Sequence, residues 1–517
     1  MASRYIIGLD YGTLSARGVL IDVATGLIVK SHTQAYPHGV MAAALPDGTA
    51  LPRGWALQEA RDYTFAAETI LREIGNGLDI DGIGLGFTAS SPLPAQADGT
   101  PLSQVFPHEP HAYVKLWKHG AAQGWADRIN AHGGDFLSNF GGKVSGEWLL
   151  AKAWQLADES PALWAGTARF IEAGDWLVWQ LTGSEARSLG FAAYKAQFSE
   201  ATGYPSHLFP GLGDRLSSPL PIGSAAGGLS NEWRARTGIK GRAAVAVAAI
   251  DSHLILPAVG ATTSGCLAGA LGTSAVYLYL AQTFRPLPKG IEGVAKDGSV
   301  KGLWCYEAGQ AGFGDTLAWF VTMVQRSPDV AENFRLYNAE AEALAAGSNH
   351  LVALDWWNGN RVPHADSRLS GLLMGLTRQT TPVQIYRALI ESLCFGARRV
   401  ADLYLDGGFP LDRVIMASGL ARNNPLLVQI MADVLGRLIE VPEIEHASAV
   451  GAAIHGAVAA GTVADYTEGT ARFGAREFTA YKPSAQATVA YDKLYGIYRE
   501  MSAAAVIRGA MHRLDQA

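Results

Sequence analysis

Apolar residues run from Tyr5 to Leu9, stop at Asp10, and resume at Val19 after a Gly12-Thr13 turn. That pattern predicts strands over 5–10 and 17–22 joined by a tight turn. Further strands are predicted over 26–31 and 82–88. Helical spacing predicts helices over 60–74, 112–131, 145–158, 161–166 and 173–181. The Gly-Pro-rich stretch 202–228 reads as loops. Ala243–Ile250 is an apolar run bounded by Gly241 and Asp251, which predicts a buried strand. The second half then restarts with a hairpin over 265–280. Helices are predicted over 309–326, 331–346, 382–405 and 424–435, a strand over 412–417, and a last helix over 485–515. This alternation predicts an α/β architecture, divided into domains 1–248 and 249–517.

The first turn carries chemistry. Gly12 has no Cβ, so a ligand can lie against the backbone. Thr13 and Ser15 add hydroxyls beside free N–H groups, which suits phosphate oxygens. Arg17 can fork to the same oxygens. Asp10 can hold Mg²⁺, an ion that keeps much of its water. The second hairpin repeats this grammar: Cys266 to Leu271, a Gly272-Thr273-Ser274 turn, then Ala275 to Leu280. Two such turns predict two similar domains facing one nucleotide. Each turn leads into a strand, so neither is a P-loop or a dinucleotide fingerprint.

Composition narrows the class. Hydrophobic residues make up 49% and charged residues 17% of 517 positions, which fits a packed globule and excludes disorder. The net charge of −6 gives no electrostatic case for nucleic acid. An acidic chain that binds a nucleotide needs local donors and a metal, and the two turns supply them. Cys266, Cys305 and Cys394 fit no zinc or redox spacing, so buried thiols in a reducing cytoplasm are expected. No apolar run reaches the ~18 residues of a membrane span, and no signal peptide is expected.

The motifs also follow a specific order. It runs Asp10-Tyr-Gly-Thr13, Trp55-Ala-Leu-Gln-Glu59, Val114-Lys-Leu-Trp-Lys-His119, Gly141-Gly-Lys143, Asp175-Trp-Leu177, Leu181-Thr-Gly183 and Gly190 to Ala196. Ile250-Asp-Ser-His253, Leu271-Gly-Thr-Ser274, Tyr306-Glu-Ala-Gly-Gln310 and Leu354-Asp-Trp-Trp-Asn-Gly-Asn-Arg361 complete it. In this order and spacing the chain resembles the FGGY family of carbohydrate kinases, within the actin/hexokinase-like ATPase superfamily, and most of all its ribulokinases.

The resemblance implies two ribonuclease H-like ATPase domains with a deep cleft between them, the sugar held by the first and ATP by the second. It implies transfer of the ATP γ-phosphoryl group, with Mg²⁺, to a terminal hydroxyl of a ketopentose, most simply L-ribulose. Asp251 matches the catalytic base and also contacts substrate; capping the segment after it is the bland alternative. Lys195, Glu307 and the backbone at Ala89 match sugar contacts. Glu307 is read as lying just before a helix. Trp117 is either an apolar wall of that site or a core tryptophan on an amphipathic helix. Gly314, and Gly419 with Asn423 in the 418–424 turn, match nucleotide contacts, joining Gly12, Thr13, Ser15, Arg17, Gly272, Thr273 and Ser274. Asp10 is the metal residue.

The chain departs from the ribulokinase pattern at Gly86, at Ala248-Ala249 before the base, at Ser90-Ser91-Pro92, and at Ser418. Those departures leave the sugar open to D-ribulose, xylulose or a pentitol such as ribitol. A nucleotide-dependent sugar sensor and an ATPase acting on a protein partner are the readings from other classes. The expected partners are the small sugar and ATP, without nucleic acid or membrane, and a homodimer is the candidate assembly.

Overall fold

The computed structural model describes residues 3–516, and its two seven-stranded sheets repeat one arrangement. In the first sheet, Ile28–Ala35, Ser15–Asp22 and Tyr5–Tyr11 lie antiparallel, and Ile80–Phe87 and Ala244–Ala246 continue in parallel. Ala225–Gly228 closes that edge, and the short Ala249–Ile250 also pairs with Ile80–Phe87. In the second sheet, Trp304–Gln310, Ala275–Ala281 and Cys266–Leu271 form the antiparallel three, followed in parallel by Arg413–Ala417 and Ile439–Pro442. Gly293–Lys296 and Phe478–Tyr481 close its edges.

Parallel neighbours require crossovers, and long helices occupy them. Ala60–Gly75 buries an apolar stripe that includes Ala66, Ala67, Ile70, Leu71 and Ile74. Pro382–Asp406 starts with proline at its first turn and a reciprocal Thr381–Gln384 capping box.

The sequence reading did not single out helix Ala447–Ala460, which leaves the second half to pack on the first sheet. The approach is backbone to backbone. A Cβ at Gly84 would lie 1.7 Å from the Ala452 carbonyl oxygen, and one at Gly8 1.8 Å from that of Ala449. Gly82 meets Gly456 in the same way. Glycine on both surfaces therefore seats this helix, which is built of small residues and is apolar nearly all round.

Several predicted elements change. The helix expected over 112–131 is confined to Gln123–His132, and Val114–Lys115 pairs instead with Leu57–Gln58. Lys115 is fully buried there, with its ammonium 2.9 Å from His111 Nδ1 and 4.5 Å from the centre of the Trp55 ring. The helix expected from 309 begins at Gly314, because Trp304–Gln310 is a strand buried between two others. Ala243–Ile250 divides into Ala244–Ala246 and Ala249–Ile250. The last helix breaks at Ala504, whose backbone is extended. The three cysteines are free and buried. No helix among the described residues is long and apolar enough to cross a membrane.

Candidate active site

Both Gly-Thr turns close alike. The Gly12 N–H donates to the Ser15 carbonyl at 3.0 Å, and the Gly272 N–H donates to the Ser274 carbonyl at 2.9 Å. Gly272 and Thr273 are exposed, while Gly12, Thr13 and Ser15 are half-buried. Ala417 pairs with Ala270, so the turn that follows Arg413–Ala417 emerges beside the second Gly-Thr turn. Gly314 joins them: its N–H donates to the Gly272 carbonyl at 2.9 Å, and a Cβ there would lie 2.7 Å from that oxygen and 3.2 Å from the Leu420 side chain. Gly419 and Asn423 begin and end the exposed turn of helix Gly419–Asn423. Ser418 takes φ 149°, a region nearly reserved for glycine, and its hydroxyl accepts from the Ala421 N–H at 3.2 Å.

Two carboxylates stand at the ends of the two strands that flank Ile80–Phe87. Asp10 faces Arg17 across the first hairpin and has Gly86 beside it. Arg17 Nε donates to Thr33 Oγ1 at 3.2 Å. Burial lifts the Asp10 carboxyl to about 6, against the pull of Arg17. Asp251 follows Ala249–Ile250, which pairs with Gly86 and Phe87, and its Oδ1 accepts from the Ser252 N–H at 2.7 Å. Burial first, and repulsion from Asp10 second, lift Asp251 to about 7. Gly86 makes room for this turn, since a Cβ there would lie 2.2 Å from Leu254 Cδ1.

A second charged group spans the two halves. Lys195 lies in the last turn of Leu189–Ala196, with Nζ 3.3 Å from Glu307 Oε1. The other Glu307 oxygen is 3.2 Å from His253 Nε2, and His253 Nδ1 is 2.5 Å from Ser299 Oγ. Burial would raise Glu307, but Lys195 and His253 override it and hold the carboxylate well below its usual range. Glu307 therefore sits in mid-strand, not before a helix, with its side chain turned to Lys195. Gly309 leaves space for two further charged side chains, since a Cβ there would lie 3.0 Å from Glu292 Oε2 and 3.4 Å from Arg361 Cδ. Arg361 Nη2 lies 3.7 Å from Glu147 Oε2 of the first half. Burial lifts Glu292 to about 7, opposed by Arg361.

Ala89 is half-buried in the bend after Ile80–Phe87. Trp117 is on no helix. It occupies the turn after Val114–Lys115, and its indole N–H donates to Thr13 Oγ1 at 3.0 Å, which ties it to the first Gly-Thr turn. Sequence reasoning missed His253, Glu292 and Arg361 as members of this group. His253 had a signal in its place two residues after Asp251, and Arg361 closes the Leu354–Arg361 motif; Glu292 had none. No cluster of three or more His, Cys, Asp or Glu that could itself hold a metal occurs among the described residues. The half-buried Asp10 carboxylate beside an open Gly-Thr turn fits a site that would hold Mg²⁺, a hard cation that takes oxygen ligands.

The likeness to known proteins covers nearly the whole chain. Residues 267–460 match the C-terminal domain of the FGGY family of carbohydrate kinases. A ribulokinase of Halalkalibacterium halodurans is 39% identical over 96% of this chain and 94% of its own. One of Mycolicibacterium smegmatis is 39% identical over 97% and 94%. The crystal structure of a xylulose kinase from Rhodospirillum rubrum, at 21% identity, superposes with a TM-score of 0.83 over 98% of this chain and 100% of its own, so the two share a fold.

Proposed function

This chain belongs to the FGGY family of carbohydrate kinases, and from that membership we propose that it phosphorylates the terminal hydroxyl of L-ribulose with ATP. The observation that carries the sugar is the 39% identity to ribulokinases over 96% of the chain.

A sugar hydroxyl is a weak nucleophile. It has to be held in line with the γ-phosphorus and relieved of its proton. Asp251 takes that proton as the sugar oxygen bonds to phosphorus and the bond to the β–γ bridging oxygen breaks, releasing ADP. A carboxyl lifted to about 7 is matched to accepting a proton near neutrality. Asp10 would hold the Mg²⁺, which would neutralise charge on the phosphates. Gly12, Thr13, Ser15, Arg17 and Gly272–Ser274 cradle those phosphates, and Gly314, Gly419 and Asn423 bound the nucleoside. Lys195 and Glu307 bind sugar hydroxyls beside Ala89 and Trp117, so an analogue that lacks a hydroxyl leaves buried charges unpaired. The division into 1–248 and 249–517 is part of this proposal, and the pairing of Ala249–Ile250 with Ile80–Phe87 favours setting the boundary a few residues later. Buried free thiols favour the cytoplasm as its location.

The Ser90-Ser91-Pro92 turn supports a second reading, in which the preferred acceptor is another pentulose or a pentitol. A coupled assay with Mg²⁺ and ATP over L-ribulose, D-ribulose, xylulose and ribitol decides. L-Ribulose should give the highest kcat/KM. A higher value for another acceptor transfers the assignment to it, and no turnover on any of them rejects the kinase reading.

A further inference from the structure

The bend that carries Ala89 is gripped in an unusual way. Ser90, next in the chain, has φ 64°, a left-handed conformation that side chains other than glycine seldom adopt. The peptide unit joining Ser90 to Ser91 is then held at both ends by buried charged groups, one from helix Leu149–Glu159 and one from the end of strand Arg169–Glu172. Lys152 Nζ donates to the Ser90 carbonyl at 2.7 Å. The Ser91 N–H donates to Glu172 Oε2 at 2.8 Å. Carbonyl and N–H of one peptide point in opposite directions, so two such partners fix its rotation. Lys152 is 0% and Glu172 3% exposed, so each contact is made without competing water. Burial pushes both groups toward neutrality, while their mutual attraction opposes it.

Lys152 reaches further. Its ammonium also donates to the Leu116 carbonyl at 2.8 Å and the Lys115 carbonyl at 3.4 Å. Leu116 immediately precedes Trp117, whose indole is bonded to Thr13. One buried ammonium thus joins the Ala89 bend, the Trp117 turn and, through Trp117, the first Gly-Thr turn. A lysine placed on three carbonyls of two site-bearing turns fixes their relative position.

We propose that Lys152 and Glu172 form a positioning clamp on the Ser90–Ser91 peptide that sets the orientation of Ala89 and Trp117 and thereby which sugar is accepted. This rests on reading Ala89 and Trp117 as sugar contacts.

The test uses the full chain. Wild-type turnover on the acceptor panel is measured first; if nothing is phosphorylated, the functional reading fails and the clamp is not what failed. With an active wild type, Lys152→Met removes the donor while keeping the stem, and Glu172→Leu removes the acceptor. Each should raise KM for the preferred sugar roughly tenfold or more and flatten the ranking of sugars, with KM for ATP within about twofold. Glu172→Gln retains an oxygen for the Ser91 N–H and should stay near wild type. An unchanged sugar ranking in folded Lys152→Met and Glu172→Leu overturns the clamp. So does an equal rise in both KM values accompanied by a lower Tm. If either charge-removing variant fails to fold, Lys152→Arg keeps a buried cation but replaces the ammonium on these carbonyls with a longer planar head. It should also shift the ranking, and a wild-type ranking in folded Lys152→Arg rejects the proposal.

Discussion

Asp251→Asn should separate chemistry from stability. In the folded chain this carboxyl is raised from 3.8 to about 7, by burial and then by Asp10. The unfolded chain releases the same proton near 3.8, so the folded state binds it more tightly. Ionising Asp251 therefore costs folding nothing below that pH. The cost accumulates up to about pH 7 and is constant above. At ~1.4 kcal/mol per pH unit, it amounts to about 2 kcal/mol at pH 5.5 and about 4 kcal/mol at pH 8, as an upper bound. Asparagine has nearly the same shape, retains an oxygen for the Ser252 N–H, and never ionises. The variant should then be more stable than wild type, by a margin roughly 2 kcal/mol larger at pH 8 than at pH 5.5. Urea titration at the two pH values measures this. The same variant should lose roughly 10²–10⁴ in kcat. Wild-type kcat/KM should rise with pH through about 7, falling about tenfold for each unit below it. A stability margin that does not change with pH refutes the burial argument, and near-normal kcat in the variant refutes the base.

Asp10→Ala should abolish turnover and raise the Mg²⁺ requirement while sugar affinity by calorimetry stays close to wild type; loss of sugar binding with normal Mg²⁺ dependence would overturn its metal role. Sugar and nucleotide should draw the two halves together, because Lys195 and Ala89 come from one and Glu307 and the second Gly-Thr turn from the other, and closure excludes water as a competing acceptor. Small-angle scattering should show a smaller radius of gyration at saturation, and an unchanged radius rejects closure. Gly84→Ala should lower stability by at least about 1–3 kcal/mol, because its Cβ meets the Ala452 carbonyl oxygen rather than a movable side chain; a Tm equal to wild type would show that helix Ala447–Ala460 shifts without cost.

The fold was legible where an element has one wet face. Ala60–Gly75 shows its buried stripe at helical spacing, and the two hairpins show as apolar runs broken by Gly-Thr. Elements buried on all sides lose that contrast. Trp304–Gln310 has buried positions on both faces, so its residues carry little period of two, and the adjoining helix pattern extended over its end. Ala447–Ala460 carries no polar stripe because sheet and second-half residues cover it. The break at Ala504 falls in Ser-Ala-Ala-Ala-Val, which contains no residue that stops a helix.

The site divides along the same physical line. Residues that act through backbone freedom or strand-end position, such as Gly12, Asp10, Asp251 and Gly272, announce themselves locally. Residues that act through a partner far along the chain do not. Lys195 and Glu307 are separated by 112 positions, and Lys152 reaches the Ser90 carbonyl across 62. Lysine is seldom buried without a partner, and nothing in the sequence marks Lys115 and Lys152 as the exceptions. Their partners are a histidine ring and backbone carbonyls, which leave no trace of complementary charge. Ser418 and Gly86, departures that looked like weakened family signals, have local physical accounts. A hydroxyl cap accompanies the strained φ at Ser418, and Leu254 fills the space above Gly86. Those accounts leave the nucleotide and base turns intact, so the departure that bears on the acceptor is the Ser90–Ser91 bend.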